Sequence, residues 1–179
     1  MTGGAASAPL AEGTIAVCAT LESLTGPSHT GAMTLQLNPY INLRGTAREA
    51  LEFYRSVLGG DLAITAFSEF PDMAPPGEEH LVMHGQLTTA DGLVLMVSDV
   101  PSTMEYAAPT GFSVSVSGDE AERLQEVWDG LADGGAVTAP YTTPPWGGTF
   151  GMLTDRFGVD WMIMCDEGTG GEDGPTVES

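Results

Sequence analysis

The stretch HGQLTTADGLVLM, from His84 to Met96, returns as FGMLTDRFGVDWM from Phe150 to Met162. Laid over each other without a gap, the two share Gly, Leu, Thr, Gly and Met at matching positions. A phrase written twice in so short a chain marks a duplicated supersecondary unit, and one such unit cannot bury its hydrophobic face alone. The glycines and leucines that persist are residues of turns and cores. The residues able to do chemistry have changed, since His84 stands where the second copy has Phe150.

Around each copy the same order of elements can be read. LQLNPYINL has the character of a strand, and GTAREALEFYRSVLGG that of a helix. Ala47, Ala50, Leu51, Tyr54 and Leu58 fall at helical spacing, Thr46 with Glu49 makes a capping-box pattern, and Gly59-Gly60 supplies the stop. LAITAFSEF, a Pro-rich loop at 71–77, and a hairpin around Asp91-Gly92 follow. The second round runs FSVSVSG, then a helix started by Asp119 and Glu122 with Ala121, Leu124, Val127, Trp128 and Leu131 on one face. Gly134-Gly135 ends it, and AVTAPYT, TFGMLTD and VDWMIMC read as strands. The helices are offset by about 73 residues. The expected fold is α+β: two paired βαβββ modules, about 34–99 and 111–165, in one domain over 33–166, closing on a half-barrel cavity. Residues 1–32, with one weak apolar stretch TIAVCATL, read as a flexible leader, and 167–179 as an acidic disordered tail.

Charge narrows the partners. Five basic residues stand against 25 acidic ones, a net charge of −20. Such a surface repels phosphate backbones and anionic lipid, and attracts cationic small molecules. Cys18 and Cys165 suggest neither a disulfide framework nor a zinc cluster. No apolar run approaches the roughly 20 residues that span a bilayer, and no basic segment precedes Arg44 as a secretory signal would require. The expectation is a soluble cytoplasmic protein without nucleic-acid or membrane partners.

The duplication, with AREALEFYRSVLGG and LTDRFGVDWMI, resembles the vicinal oxygen chelate superfamily of glyoxalases, bleomycin-resistance proteins and dioxygenases. PYINLRGTAREALEFY, MHGQL, VLMVSD and PPWGGTFGMLTDRFGVDWMI are similar to its PhnB-like branch, over about residues 36–165. The resemblance implies the half-barrel and a homodimer. Some members of the branch carry a demethylubiquinone methyltransferase label, but this sequence has no glycine-rich nucleotide-binding strand-turn-helix. In metal-using relatives four ligands, mostly His and Glu, come from the first and fourth strands of both modules. Carried over by position, the fourth-strand ligands fall on Met96 and Met162. The first-strand ligands fall on Pro39 and Phe112, or one residue on at Tyr40 and Ser113. None of these sets suits a hard divalent ion, and thioethers suit soft copper instead. His80 and His84 in an extended run lie ~13 Å apart and cannot share one ion. Neither metal nor cofactor is expected.

Strand alternation sorts the remaining residues. Ile41, Leu43, Leu95, Val97, Val114 and Val116 should face the helices. Tyr40, Asn42, Val94, Met96, Ser113, Ser115, Asp160 and Met162 should line the cavity, a mixed surface suited to a ring-containing or amphipathic ligand. Trp146, in the PPWGG loop, and Phe150 join the candidate ligand contacts. A two-residue turn at Asp91-Gly92 would set His84 opposite Asp99, either as an acid–base pair or as a structural hydrogen bond. The expected function is metal-independent binding of a small molecule, sequestering a cationic or aromatic compound. The alternatives are a metal-free or atypically metallated lyase or isomerase using His84 and Asp99, and a structural or regulatory partner with a vestigial cavity.

Overall fold

A computed structural model describes residues 35–166 apart from Pro71 and Trp146. The proposed leader and tail, Cys18 and the candidate ligand contact Trp146 therefore lie outside the described residues. The chain divides after Gln36; of the first unit only Leu35 and Gln36 are described, both exposed and outside regular structure. All the described helices and strands belong to the second unit, which starts at Leu37.

Its first module contains β1 (Tyr40–Leu43), α1 (Ala47–Leu58), β2 (Asp61–Ala66), β3 (Val82–Thr88) and β4 (Val94–Asp99). The second contains β5 (Val114–Gly118), α2 (Ala121–Ala132), β6 (Ala136–Thr142), β7 (Thr149–Thr154) and β8 (Asp160–Cys165). Each module builds a four-stranded mixed sheet, in the orders β1-β4-β3-β2 and β5-β8-β7-β6. The first strand of each runs parallel to the fourth, and the other pairings are antiparallel. This is the βαβββ repeat that the sequence predicts.

Each helix lies on its own sheet, and the two helices touch each other. α1 buries Ala47, Ala50, Leu51, Tyr54 and Leu58, the stripe its spacing predicts. α2 buries Leu124, Val127, Trp128 and Leu131, whereas Ala121 is exposed at its first turn. Strand residues facing the helices, among them Ile41, Leu43, Leu87, Val97, Leu153, Trp161 and Ile163, complete one core shared by both modules. The opposite face of each sheet carries no helix.

The repeated glycines now have a cause. A Cβ on Gly85 would come 2.1 Å from Leu51 Cδ1, and one on Gly151 would come 2.7 Å from the Trp128 ring and 2.8 Å from Tyr141 Cα. Both mark the place where a helix rests directly on its third strand. Gly92 and Gly158 sit at φ 82° and 81°, a region that L side chains rarely adopt.

Three local expectations change. Thr46 makes no side-chain cap bond; the first amide of α1, on Ala47, donates instead to Asp99 Oδ1 at 3.1 Å. The N-cap of α2 is Glu120 rather than Asp119, again without a side-chain bond. The hairpin connecting β3 and β4 closes with Thr89 N donating to Leu93 O and Gly92 N to Thr89 O, so three residues, not two, form the turn. A three-residue loop ending in a positive-φ glycine is a common alternative to the two-residue turn. The second copy repeats it, with Asp155 N donating to Val159 O and Gly158 N to Asp155 O.

One polar group ties the modules together. Asp155 is buried and accepts from Tyr54 Oη at 2.7 Å, Trp161 Nε1 at 2.8 Å, Phe157 N at 2.8 Å and Val159 N at 3.0 Å. Tyr54 comes from α1 of the first module, so this carboxylate anchors one module's helix in the other. Burial, helped by the Asp155 charge and hydrogen bond, pushes the Tyr54 pKa far up, so the phenol stays a donor.

Candidate functional site

On the helix-free face of the first sheet, register decides which side chains meet. Tyr40 lies beside Met96, and Asn42 beside Ser98, across the parallel β1–β4 pair. In β3, Gln86 faces Met96 and His84 faces Thr65 of β2. Tyr40 Oη and His84 Nδ1 are 3.2 Å apart, with ring centroids at 5.7 Å and an interplanar angle of 31°. Ser98 Oγ donates to Asn42 Oδ1 at 3.0 Å. These two pairs fix four polar side chains next to a thioether before any ligand arrives.

His84 is half-buried, and this burial lowers its pKa below the ordinary 6.5. At neutral pH the imidazole is uncharged, with one ring nitrogen a donor and the other an acceptor. With the phenol donating, Nδ1 accepts and Nε2 carries the proton. With the tautomer reversed, Nε2 is a free base. Both states present a hydrogen-bonding edge to a ligand.

His84 and Asp99 do not meet. The β3–β4 register pairs Gly85 with Val97 and Gln86 with Met96, and carried on by one pair it sets His84 level with Ser98. The extra turn residue shifts the pairing by one, and such a slip moves a side chain to the other face. Asp99 is buried on the helix side, where Oδ1 accepts from Ala47 N and Oδ2 from Val82 N at 3.0 Å. Its carboxylate caps α1 and pins the start of β3. The partner of His84 is Tyr40.

On the second sheet Met162 stands between Ser115 of β5 and Met152 of β7, and Phe150 of β7 pairs with Met164. Ser113 precedes β5; Ser115 takes the place beside Met162 that the resemblance suggested for Ser113. Met152, Met164, Gln86 and Ser98 were not singled out from the sequence, although strand alternation from Phe150, Met162, His84 and Met96 would have found all four. Both faces are open: Tyr40 is 43% and Met164 39% exposed.

The metal corners can be tested directly. They hold a phenol, two thioethers and a hydroxyl, at Tyr40, Met96, Met162 and Ser115. A divalent cation that keeps positions for a chelating substrate prefers imidazole and carboxylate. Among the described residues no three His, Cys, Asp or Glu side chains gather. The residues present do not fit that ion.

The paired βαβββ arrangement defines a class. A solved structure of a glyoxylase/bleomycin resistance protein/dioxygenase domain from Frankia sp. EAN1pec superposes with a TM-score of 0.54 at 14% identity, covering 77% of this chain and 96% of the other. At that identity the likeness concerns fold alone. Sequence carries the match further. The sequence model of the family described as 3-demethylubiquinone-9 3-methyltransferase matches residues 36–164, and the chain belongs to this family, the PhnB-like branch of the glyoxalase/bleomycin resistance/dioxygenase superfamily.

The crystal structure of protein PA1353 from Pseudomonas aeruginosa is 36% identical with a TM-score of 0.68, covering 74% of this chain and 98% of that one. A putative 3-demethylubiquinone-9 3-methyltransferase, PhnB protein, from Bacillus cereus is 26% identical with a TM-score of 0.60, covering 73% and 99%. Protein YjdN of Escherichia coli K12 is 27% identical over 140 residues, 72% of this chain and 94% of its own length. Among the described residues no helix is long and apolar enough to cross a membrane.

Proposed function

We propose that this chain binds a small organic molecule on the helix-free face of its sheets, without a metal, and that the ligand is a cationic or aromatic compound. The observation that carries the reading is the Tyr40–His84 pair beside Asn42–Ser98, four polar groups preset by hydrogen bonds next to Met96. Thioethers adapt to flat rings and make favourable sulfur–aromatic contacts, and an exposed phenol ring offers a cation–π surface. The net charge of −20 draws cations toward the molecule. The family's description names a methyltransferase, but a methyl-donor site has no counterpart in the residues that the proposed reading uses. The turn from β1 to α1, Arg44-Gly45-Thr46, carries a single glycine and not the glycine-rich pattern of a nucleotide-binding turn.

Thermal shifts with a panel of cationic aromatic compounds test the reading, because a ligand that binds only the native state raises its stability. The expected result is a positive shift that Tyr40→Ala removes while leaving the melting cooperative. A panel without any shift defeats the proposal. The Tyr40–His84 pair also supports a second reading, a metal-free lyase or isomerase with His84 Nε2 as general base. A turnover lost in His84→Ala with ligand binding retained would select it.

A further inference from the structure

At the seam between the two sheets lies a cavity of about 220 Å³ whose lining includes neither Tyr40 nor His84. One wall is β4, the turn before it and the approach to β1; the other is β5 with Trp161 of β8. Leu87, Trp161, Leu95 and Leu58 in its lining are 0%, 1%, 5% and 7% exposed, so its walls are part of the core. Such walls are held by close packing and cannot collapse inward to fill the space. At its rim Leu37 is 100% and Leu93 44% exposed.

None of the fourteen lining residues is ionisable, in a chain with 25 acidic side chains. Asn38 brings one amide, and Thr89 and Ser115 one hydroxyl each, to an otherwise largely aliphatic wall; the Thr89 hydroxyl already accepts from Leu93 N at 3.0 Å. An apolar pocket with a few polar groups is the usual form of a small-molecule site. A dry apolar cavity of ~150 Å³ already accepts benzene. A charged ligand would lose its hydration here without gaining a partner, whereas an uncharged ring loses nothing.

We propose that this seam cavity is a binding site for an uncharged single or fused ring, with at most one or two hydrogen-bonding groups directed to Asn38 and Ser115. The site adjoins the helix-free face and shares Val94 and Ser115 with it, but Tyr40, Asn42, His84, Met96 and Ser98 are not part of its lining. It does not depend on the ligand proposed for Tyr40 and His84.

Indole serves as the probe, with benzoate and benzylammonium as charged controls, each titrated into the full-length protein by calorimetry and by protein-observed NMR. Indole should bind with one-to-one stoichiometry, and both charged rings at least tenfold more weakly. Val116→Phe, which fills the cavity from the β5 wall, should weaken indole at least tenfold, and Tyr40→Ala should leave it unchanged. Should Val116→Phe fail to fold, Leu93→Glu places a charge at the exposed rim and should give the same loss. Indole binding that survives the rim charge, or that benzoate matches, overturns the proposal. So does an absence of indole binding, including the case where sedimentation shows a second copy covering the seam and Leu93→Glu separating the copies.

Discussion

The two modules share a backbone plan but close it with different chemistry. At the end of β4 the first module places Asp99, whose carboxylate caps α1 and holds Val82 N. The matching residue at the end of β8 is Cys165, and α2 starts without a side-chain cap. The second module instead puts its buried carboxylate in the β7–β8 turn, where Asp155 serves two backbone amides of its own turn, the indole of Trp161 and the phenol of Tyr54 from the other module. One aspartate therefore orders its own module, and the other joins the two. A duplicated unit can keep the backbone hydrogen bonds of its turns, because those are local. The groups at the boundary must diverge.

Removing each carboxylate gives the largest expected effect. Asp155→Ala leaves four buried or half-buried donors unpaired and should cost about 4 kcal/mol of unfolding free energy. Asp99→Ala leaves two backbone amides, one of them the helix cap, and should cost about 2 kcal/mol. Urea denaturation of both variants in one buffer checks the order. If Asp99→Ala proves the more damaging, Asp155 is not the tie between modules.

The repeated glycines sharpen the comparison at a smaller scale. The new methyl of Gly85→Ala meets the end of a flexible leucine, and Leu51 can swing aside. That of Gly151→Ala meets the Trp128 ring and the Tyr141 backbone, neither of which can move without its strand or helix. Overpacking of this kind costs roughly 1–3 kcal/mol. Gly151→Ala should fall near the upper end and Gly85→Ala near the lower, read as the difference in their urea midpoints. Equal losses would mean that the two helices rest on their sheets alike.

The order of elements, both buried helix stripes apart from the exposed Ala121, and the division of strand residues between faces were legible in the sequence, because periods of two and of 3.6 follow from backbone geometry alone. Tyr40, Asn42, Met96 and Met162 were placed on the helix-free face by that parity. The partner of His84 was not legible. Asp91-Gly92 fits a two-residue turn and a three-residue turn equally, and the choice decides whether residue 84 shares a face with residue 98 or with residue 99. The cap of α1 was missed for a related reason. Thr46 and Glu49 satisfy the local rule, yet the amide of Ala47 is taken by a side chain 52 residues away. Long-range competitors of this kind leave no trace in a window of sequence. The tie from Tyr54 to Asp155, across 101 residues, was hidden in the same way.

The smallest effect separates the two helix-free faces by pH. The first carries His84 where the second carries Phe150, and burial holds the His84 pKa below its ordinary value of 6.5. Well above pH 6.5 the imidazole is neutral in both the folded and the unfolded chain, and its full contribution to stability is present. As pH falls below 6.5 the unfolded chain takes up a proton that the folded chain refuses, so stability declines until the pH has passed the lowered folded pKa. His84→Gln keeps a polar side chain at the site and should flatten that part of the stability–pH curve while leaving the region above pH 7 unchanged. Under the proposed function the same titration also bears on binding. If the neutral imidazole and the Tyr40 phenol together receive a cationic ring, protonation of His84 adds a like charge beside it, and binding should weaken over the same window. A wild-type curve without this decline, in chains whose native fold is confirmed by circular dichroism, would mean that His84 is as accessible to protons folded as unfolded. The contrast between the faces would then rest on shape alone.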